Sequence, residues 1–195
     1  MPAGEPTEVA AFVLAAGWAG YGAILALGKR GAAPGDARRD VISSAGFLLQ
    51  CAAYGLCFLF HRTYFSPLVS MSQLSESVLA GVDMALTVAS VWFCFAAARA
   101  LGRQWALMAR VIEGHELIRE GPYAVVRNPI YLAMLGMLLA TGLAVTRWQA
   151  LLYATVVFAS GTAIRIRSEE KLLRETFGQT FDDYARSVPA FLPRL

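Results

Sequence analysis

The chain alternates between long apolar runs and polar segments. A helix needs about 20 residues to cross a hydrocarbon core of about 30 Å. Five runs approach or reach this length, and together they carry one charged residue, Asp83. The pattern therefore predicts an all-α integral membrane protein with five transmembrane helices. The predicted spans are residues 9–27, 41–60, 78–98, 130–146 and 148–164.

The last two runs differ from the others, because each has only 17 residues and Arg147 alone separates them. They predict a tight helical hairpin that crosses the bilayer steeply or only dips into it. Polar segments flank this hairpin at residues 99–129 and 165–195. We therefore divide the chain into a three-helix membrane anchor, 1–98, and a second part, 99–195. The second part comprises the loop 99–129, the hairpin 130–164 and a C-terminal helix and tail, 165–195.

Charge distribution predicts the orientation of the spans. Fifteen of the 17 Lys and Arg residues lie in alternate polar segments, and by the positive-inside rule these segments are cytoplasmic. The N-terminus is then outside and the C-terminus inside.

Hydrophobic residues make up 57% of the chain, charged residues 16%, and the net charge is only +3. This composition excludes a disordered chain, and without a concentrated basic face it does not predict nucleic-acid binding.

The cysteines and histidines do not predict a metal centre. Cys51, Cys57 and Cys94 all lie inside predicted spans, which favours core packing over disulfides. His61 and His115 fall on opposite sides of the predicted membrane. Asp83 is a functional candidate because it is an ionisable group inside a span. It lies near the outer end of that span, where we expect water to be close, and it receives no role.

Two local patterns mark the hairpin. Asn128-Pro129 predicts a helix start, because Asn is a favoured N-cap and Pro a favoured first residue. The N–H groups of such a helix attract anions such as carboxylates. At the other end, Arg165 and Glu169 are four residues apart and share a helix face, and the helix is expected to stop at Gly178. A purely structural interpretation of each pattern stays open: a membrane-boundary Arg127 with an interfacial Tyr131, and a solvated, self-paired helix exit.

The order of these patterns is more specific than any one of them. It resembles the isoprenylcysteine carboxyl methyltransferase family, in its short prokaryotic five-span form, over residues 101–193. The motifs that carry the resemblance are His115-x-Leu117, Gly121-x-Tyr123, Arg127-Asn128-Pro129-x-Tyr131, Arg165-x-x-x-Glu169-Glu170, Phe177-Gly178, Tyr184 and Pro189.

The resemblance implies a membrane methyltransferase that uses S-adenosylmethionine, in a prokaryotic inner membrane. Its cofactor pocket would be cytoplasmic, formed by the loop 99–129, the hairpin start and the C-terminal helix, which makes residues 99–195 the catalytic part. Arg165 would be the catalytic residue that faces a lipophilic acceptor such as a prenylated cysteine carboxylate. The cofactor-binding residues would be His115, Glu116, Leu117, Ile118, Tyr123, Asn128, Pro129, Ile130, Tyr131 and Glu169.

One position departs from the family pattern: Asn128 stands where the family usually has His. Asn can cap the helix and donate a hydrogen bond to the cofactor, but it cannot titrate. A carboxylate or thiolate acceptor needs no general base, so the proposed chemistry does not require that proton transfer.

Two other functions stay open at this stage. Membrane sterol reductases resemble the family in their C-terminal half but use NADPH, and they would be expected to have more spans. A non-enzymatic membrane scaffold that keeps the fold is the second alternative. A lipid amine, an isoprenoid acid or a small thiol is also possible as the acceptor.

Overall fold

The computed structural model describes residues 5–31, 41–62, 73–104 and 116–193. The described residues form seven α-helices and one 3-10 turn, and their β pairing is limited to an isolated bridge between His61 and Thr146. The all-α prediction is therefore confirmed. The helices are α1 (Glu5–Gly31), α2 (Val41–Leu59), α3 (Gln73–Leu101), α4 (Pro122–Val125), α5 (Pro129–Val145), α6 (Trp148–Phe177) and α7 (Gln179–Ser187), with the 3-10 turn at Gly102–Gln104.

Four helices are long and apolar enough to cross a membrane: α1, α2, α3 and α6. Large apolar side chains on them point outward, and Phe12, Trp92 and Tyr153 are 74%, 65% and 70% exposed. A soluble protein rarely exposes so much contiguous apolar surface, whereas lipid tails cover it at no cost. These are the helices of an integral membrane protein. Helix α5 is also apolar but has 17 residues, about 26 Å at ~1.5 Å per residue.

Helix α5 lies at the centre of the bundle, in contact with α1, α2, α3, α4 and α6. Small buried residues on it, among them Ala133, Ala140 and Ala144, let its neighbours approach closely. The connection from α5 to α6 is as short as predicted, but each of the two helices packs most extensively on a helix from the first half of the chain. Helix α6 packs mainly along α2, and α5 mainly along α3. The packing therefore crosses the boundary that we drew at residue 98.

The crossing of α2 and α6 is close because a glycine stands on each helix. A Cβ atom added to Gly46 would lie 2.6 Å from Arg165 Cγ and 2.7 Å from the Gly161 carbonyl oxygen. A Cβ atom added to Gly161 would lie 2.6 Å from the Gly46 carbonyl oxygen. Real Cβ atoms do not approach other atoms this closely, so both positions require glycine. The crossing brings the middle of α2 against the residues of α6 that precede its polar end.

The end of α5 near Val145 is held by the last turn of α2 and by Arg62, which follows α2. Arg62 Nε donates to the Thr146 carbonyl at 2.9 Å, and Arg62 Nη2 donates to the Leu143 carbonyl. The Thr146 hydroxyl donates to the Cys57 carbonyl at 3.0 Å. These bonds satisfy carbonyls that a helix C-terminus leaves without partners inside the helix.

Two predictions about individual side chains are wrong. Cys57 and Cys94 are buried as expected, but Cys51 is exposed. The buried face of α2 carries Gln50 and Ala53, and Cys51 points away from that face. Asp83 is fully buried rather than close to water. Its position on α3 shares the face of Ala80 and Thr87, which points into the bundle.

Candidate functional site

Arg165 lies in the bundle interior, where α2, α5 and α6 meet. Its side chain is 3% exposed, so this helix exit is not solvated at Arg165, although Arg165 is paired with Glu169 as the structural interpretation expected. Its Nη1 donates to Gln50 Oε1 at 3.0 Å, and its Nη2 is 3.6 Å from Glu169 Oε1. The guanidinium also lies 4.9 Å from the ring centroid of Tyr131 and 5.5 Å from that of Phe47, within the range of cation–π attraction.

Glu169 is the carboxylate of this cluster, one turn along α6 from Arg165. The Tyr131 hydroxyl donates to Glu169 Oε1, which links the first turn of α5 to α6. The Glu169 side chain is 23% exposed, so its carboxylate lies at the edge of the buried cluster. A buried cation, a partly exposed carboxylate and a phenol therefore converge at the N-terminus of α5.

The start of α5 is where the sequence predicts it, but Asn128 has a different role. The helix begins at Pro129, yet the Asn128 side chain makes no capping hydrogen bond to it. Its Nδ2 donates instead to the Ala190 carbonyl at 2.8 Å, which ties it to the C-terminal tail. The expected side-chain cap is therefore wrong, since the tail offers the amide a competing acceptor. The first N–H groups of α5, at Ile130 and Tyr131, are left without a side-chain cap from Asn128.

Tyr123 and α4 border the cluster on the side of the polar loop. Tyr123 is 8% exposed, and its carbonyl accepts a hydrogen bond of 2.6 Å from the Tyr184 hydroxyl of α7. Burial raises the pKa of Tyr123 well above its usual value, and the charge of Glu169 raises it further. Burial also raises the pKa of Tyr184 to about 12. Both phenols are therefore protonated and act as neutral hydrogen-bonding groups.

Arg127 connects the start of α5 to the C-terminal part of the chain. Its Nε and Nη2 donate to Glu170 Oε1 at 2.9 and 2.7 Å. Its Nη1 donates to the carbonyls of Ala185 and Val188, and its backbone N–H donates to the Pro189 carbonyl at 2.9 Å. Arg127 is therefore more than a marker of the membrane boundary, because it holds α7 and the tail against α5.

The remaining predicted residues lie in the polar loop. His115 is outside the described residues. Glu116 is exposed, and its backbone N–H donates to Gln104 Oε1 at 2.7 Å, which places it beside the end of α3. Leu117 and Ile118 are both partly buried. The structure thus brings Tyr131, Arg165 and Glu169 into contact and places Tyr123 on α4, which contacts α5. Asn128 and Glu116 bind other parts of the chain.

Three residues contribute to this region without having been predicted from the sequence to do so: Gln50, Arg127 and Glu170. Gln50 had a detectable signal, because it is a long amide in a predicted span and polar side chains inside membranes usually contact one another. Arg127 and Glu170 are 43 residues apart in the chain. No local pattern pairs them.

Within the described ranges, no group of three or more His, Cys, Asp or Glu side chains could hold a metal ion.

Comparison with known proteins gives matches to part of the chain. Nickel-cobalt-cadmium resistance protein NccN of Alcaligenes xylosoxydans xylosoxydans is 36% identical over 96 residues, which are 49% of this chain and 45% of NccN. Cobalt-zinc-cadmium resistance protein CzcN of Cupriavidus metallidurans is 38% identical over 101 residues, 49% of this chain and 44% of CzcN. Protein-S-isoprenylcysteine O-methyltransferase of Schizosaccharomyces pombe is 30% identical over 79 residues, 40% of this chain and 34% of the yeast protein. Each match covers less than half of the relative.

A family model matches the region that contains the cluster. The model of the phospholipid methyltransferase family matches residues 78–180, more than half of the chain. The matched range contains most of α3, the whole of α4, α5 and α6, and the start of α7, and therefore the whole contact cluster of Tyr131, Arg165 and Glu169. The resemblance to isoprenylcysteine methyltransferases that the motifs indicated is confirmed. The chain belongs to the phospholipid methyltransferase family, which includes the isoprenylcysteine methyltransferases.

Proposed function

We propose that this protein is an S-adenosylmethionine-dependent membrane methyltransferase whose acceptor is a lipophilic carboxylate of the prenylcysteine type. The observation that carries the proposal is the cluster of Arg165, Glu169 and Tyr131 at the N-terminus of α5. Membership of a methyltransferase family supports it. The cofactor supplies an activated methyl group on a sulfonium, and the protein supplies binding and orientation.

The polar groups at the start of α5 suit the polar groups of such a cofactor. Glu169 would accept hydrogen bonds from its amine or ribose hydroxyls, since the carboxylate is partly exposed and already positioned by Tyr131. The first N–H groups of α5 would bind its carboxylate, because a helix N-terminus favours anions and Asn128 does not cap this one. Tyr123, Pro129 and Ile130 would contribute to the walls, with Leu117, Ile118, Glu116 and His115 from the loop.

Arg165 would orient the acceptor. A guanidinium binds a carboxylate by charge-assisted hydrogen bonds, and the rings of Tyr131 and Phe47 restrict its position. An ionised carboxylate is already a nucleophile, so the protein has only to hold it in line and exclude water. Arg165 lies on a helix that is apolar as far as Ile164, which suits a substrate whose tail stays in lipid.

We further propose five transmembrane helices, with α5 as the fifth span and the termini arranged as the charge pattern predicts. The fifteen positive residues of the alternate segments support this orientation. The length of α5, about 26 Å, is slightly less than the hydrocarbon thickness, and local thinning of the bilayer accommodates such a difference. Reporter fusions after residues 36, 66, 110 and 147 test the orientation. Cytoplasmic signals at 36 and 110 only are expected, and any other pattern contradicts it.

The first experiment is calorimetric titration of the detergent-purified protein with S-adenosylhomocysteine, and in parallel with NADPH. We expect micromolar binding of S-adenosylhomocysteine and loss of that binding in Glu169→Ala. Glu175→Ala is the matched control, since Glu175 is an exposed acid on the same helix. Binding of NADPH alone would indicate a reductase, and binding of neither would favour a scaffold.

Turnover tests the acceptor. With N-acetyl farnesylcysteine as acceptor, we expect methyl ester formation by the parent protein. Arg165→Ala should lose turnover but keep S-adenosylhomocysteine binding, whereas Arg167→Ala, at an exposed position on the same helix, should keep both. Tight S-adenosylhomocysteine binding by Glu169→Ala, or full turnover by Arg165→Ala, would contradict these roles.

A further inference from the structure

Gln50 of α2 connects two residues of α6 inside the bundle. Its Oε1 accepts from Arg165 Nη1 at 3.0 Å, and its Nε2 donates to Thr162 Oγ1 at 2.9 Å. The side chains of Gln50 and Thr162 are 1% and 2% exposed. The orientation of the amide follows from chemistry, because a guanidinium only donates and must face the amide oxygen. Both polar ends of this buried side chain are therefore used.

The helix crossing explains why an amide of this length reaches Arg165. Gly46 lies one turn before Gln50 on the same face of α2, and its missing side chain leaves room for the Arg165 stem and the Gly161 carbonyl. The same closeness places the stem of the Arg165 side chain directly against α2. Gln50 and the glycine pair thus limit the guanidinium on one side, while Tyr131 and Glu169 limit it on the other.

The neutrality of the Gln50 side chain matters as much as its shape. The carboxylate of Glu169 lies 3.6 Å from Arg165 Nη2. Gln50 accepts a hydrogen bond from the guanidinium without adding a second negative charge. A glutamate at this position would have nearly the same shape but would compete with an anionic substrate group for Arg165.

We propose that Gln50 is a positioning residue for Arg165, which orients the guanidinium and keeps its positive charge available to an anionic acceptor. This inference rests on the proposed function, since it assigns the acceptor's charge preference to a side chain of α2. It places a determinant of substrate specificity in the part of the chain that the sequence analysis treats as a membrane anchor.

The test compares Gln50→Glu and Gln50→Leu with the parent protein, using N-acetyl farnesylcysteine as acceptor and S-adenosylhomocysteine as ligand. For Gln50→Glu at neutral pH, we expect KM for the acceptor to rise at least tenfold, with kcat and the Kd of S-adenosylhomocysteine changed less than threefold. The defect should shrink as pH falls, because a protonated carboxyl group resembles the amide. For Gln50→Leu, we expect kcat/KM to fall about tenfold at every pH.

Thr141→Val is the control for loss of a buried bond between helices. The Thr141 hydroxyl accepts from Trp18 Nε1 at 3.1 Å, away from Arg165, and this variant should keep the parent's kinetic constants. Parent-like kinetics in both Gln50 variants, or a Gln50→Glu defect independent of pH, would overturn the role of Gln50 alone. A parent protein that neither binds S-adenosylhomocysteine nor methylates the acceptor would overturn the proposed function and this inference with it.

Discussion

Each end of α5 is held by an arginine, and the two arginines have different partners. At the Val145 end, Arg62 donates to the carbonyls of Leu143 and Thr146. At the Pro129 end, Arg165 contacts the side chains of Gln50, Glu169 and Tyr131, which come from three helices. Both arginines lie at least partly inside the protein, so burial alone does not distinguish them.

The kind of partner does distinguish them. Every helix C-terminus offers carbonyls, and a cation there is stabilised by the helix dipole whatever the sequence. Arg62 therefore acts as a structural cap. A set of side chains from three helices around one guanidinium requires a specific residue at each position. It also leaves a carboxylate, Glu169, partly exposed beside the cation. The residues at the Pro129 end therefore resemble a binding site, whereas those at the Val145 end serve to connect two helices.

The sharpest test exchanges each arginine for lysine. Lysine keeps the charge but cannot reproduce the planar set of guanidinium donors. We expect Arg165→Lys to reduce turnover about 100-fold, the size of effect that misplacement by about 1 Å produces. Arg62→Lys should leave turnover unchanged, as initial rates would show. Equal losses of turnover in the two variants would remove the functional distinction between the ends.

The second test concerns the helix crossing beside Arg165. Gly46→Ala places a Cβ atom against Arg165 Cγ and the Gly161 carbonyl. We expect the free energy of unfolding to fall by about 2 kcal/mol, as overpacking a core usually costs ~1–3 kcal/mol. Gly55→Ala is the matched control on the same helix, since its Cβ atom would meet nothing within 4 Å. Denaturant unfolding in detergent measures both, and equal effects would show that the crossing is not tight.

The third test concerns the contacts of Arg62 at the Val145 end of α5. Arg62→Ala leaves the carbonyls of Leu143 and Thr146 without this donor, and we expect a loss of about 1.5 kcal/mol in unfolding free energy. The Kd of S-adenosylhomocysteine should stay the same. Arg147→Ala, at an exposed position between α5 and α6, should change neither quantity. A weakened Kd in Arg62→Ala would mean that the two ends are coupled.

The smallest effect is expected at Tyr184, which holds α7 near the site. Tyr184→Phe removes a hydrogen bond to the Tyr123 carbonyl and should cost about 1 kcal/mol. Folding raises the pKa of this phenol from 10.0 to about 12, so its contribution is complete below pH 10. It is lost as pH rises from 10 toward 12, because the unfolded chain ionises first. The free energy of unfolding of parent and variant should be measured between pH 8 and 12. The difference between the two should narrow as the pH rises, and a constant difference would contradict the assignment.

Local signals were sufficient for the boundaries of several elements. Pro129 begins α5 as predicted, because proline suits the first position of a helix. Helix α6 ends at Phe177, since Gly178 takes φ of 52°, a left-handed value that glycine adopts without steric cost. Arg165 and Glu169 share a face because they are one turn apart. Each of these features depends only on residues that are neighbours in the chain.

Helix faces were harder to predict. A span that is apolar on all sides has no polar stripe to show which side faces lipid. The sequence therefore predicts a core position for Cys51, which is exposed, and a position near water for Asp83, which is buried. The Asn128 side chain was expected to cap α5, but it binds the Ala190 carbonyl, an acceptor 62 residues away.

The sequence by itself determined the all-helical membrane class, the start of α5, the end of α6, the family and the residue types proposed for the site. Only the tertiary structure decided which of these residues meet. The Gly46–Gly161 crossing brings Gln50 to Arg165 across 115 residues of chain, and Arg127 reaches Glu170 across 43. The physical reason is that periodicity and capping act over one or two turns. Contacts between helices depend on how closely two backbones can approach, which no segment determines alone.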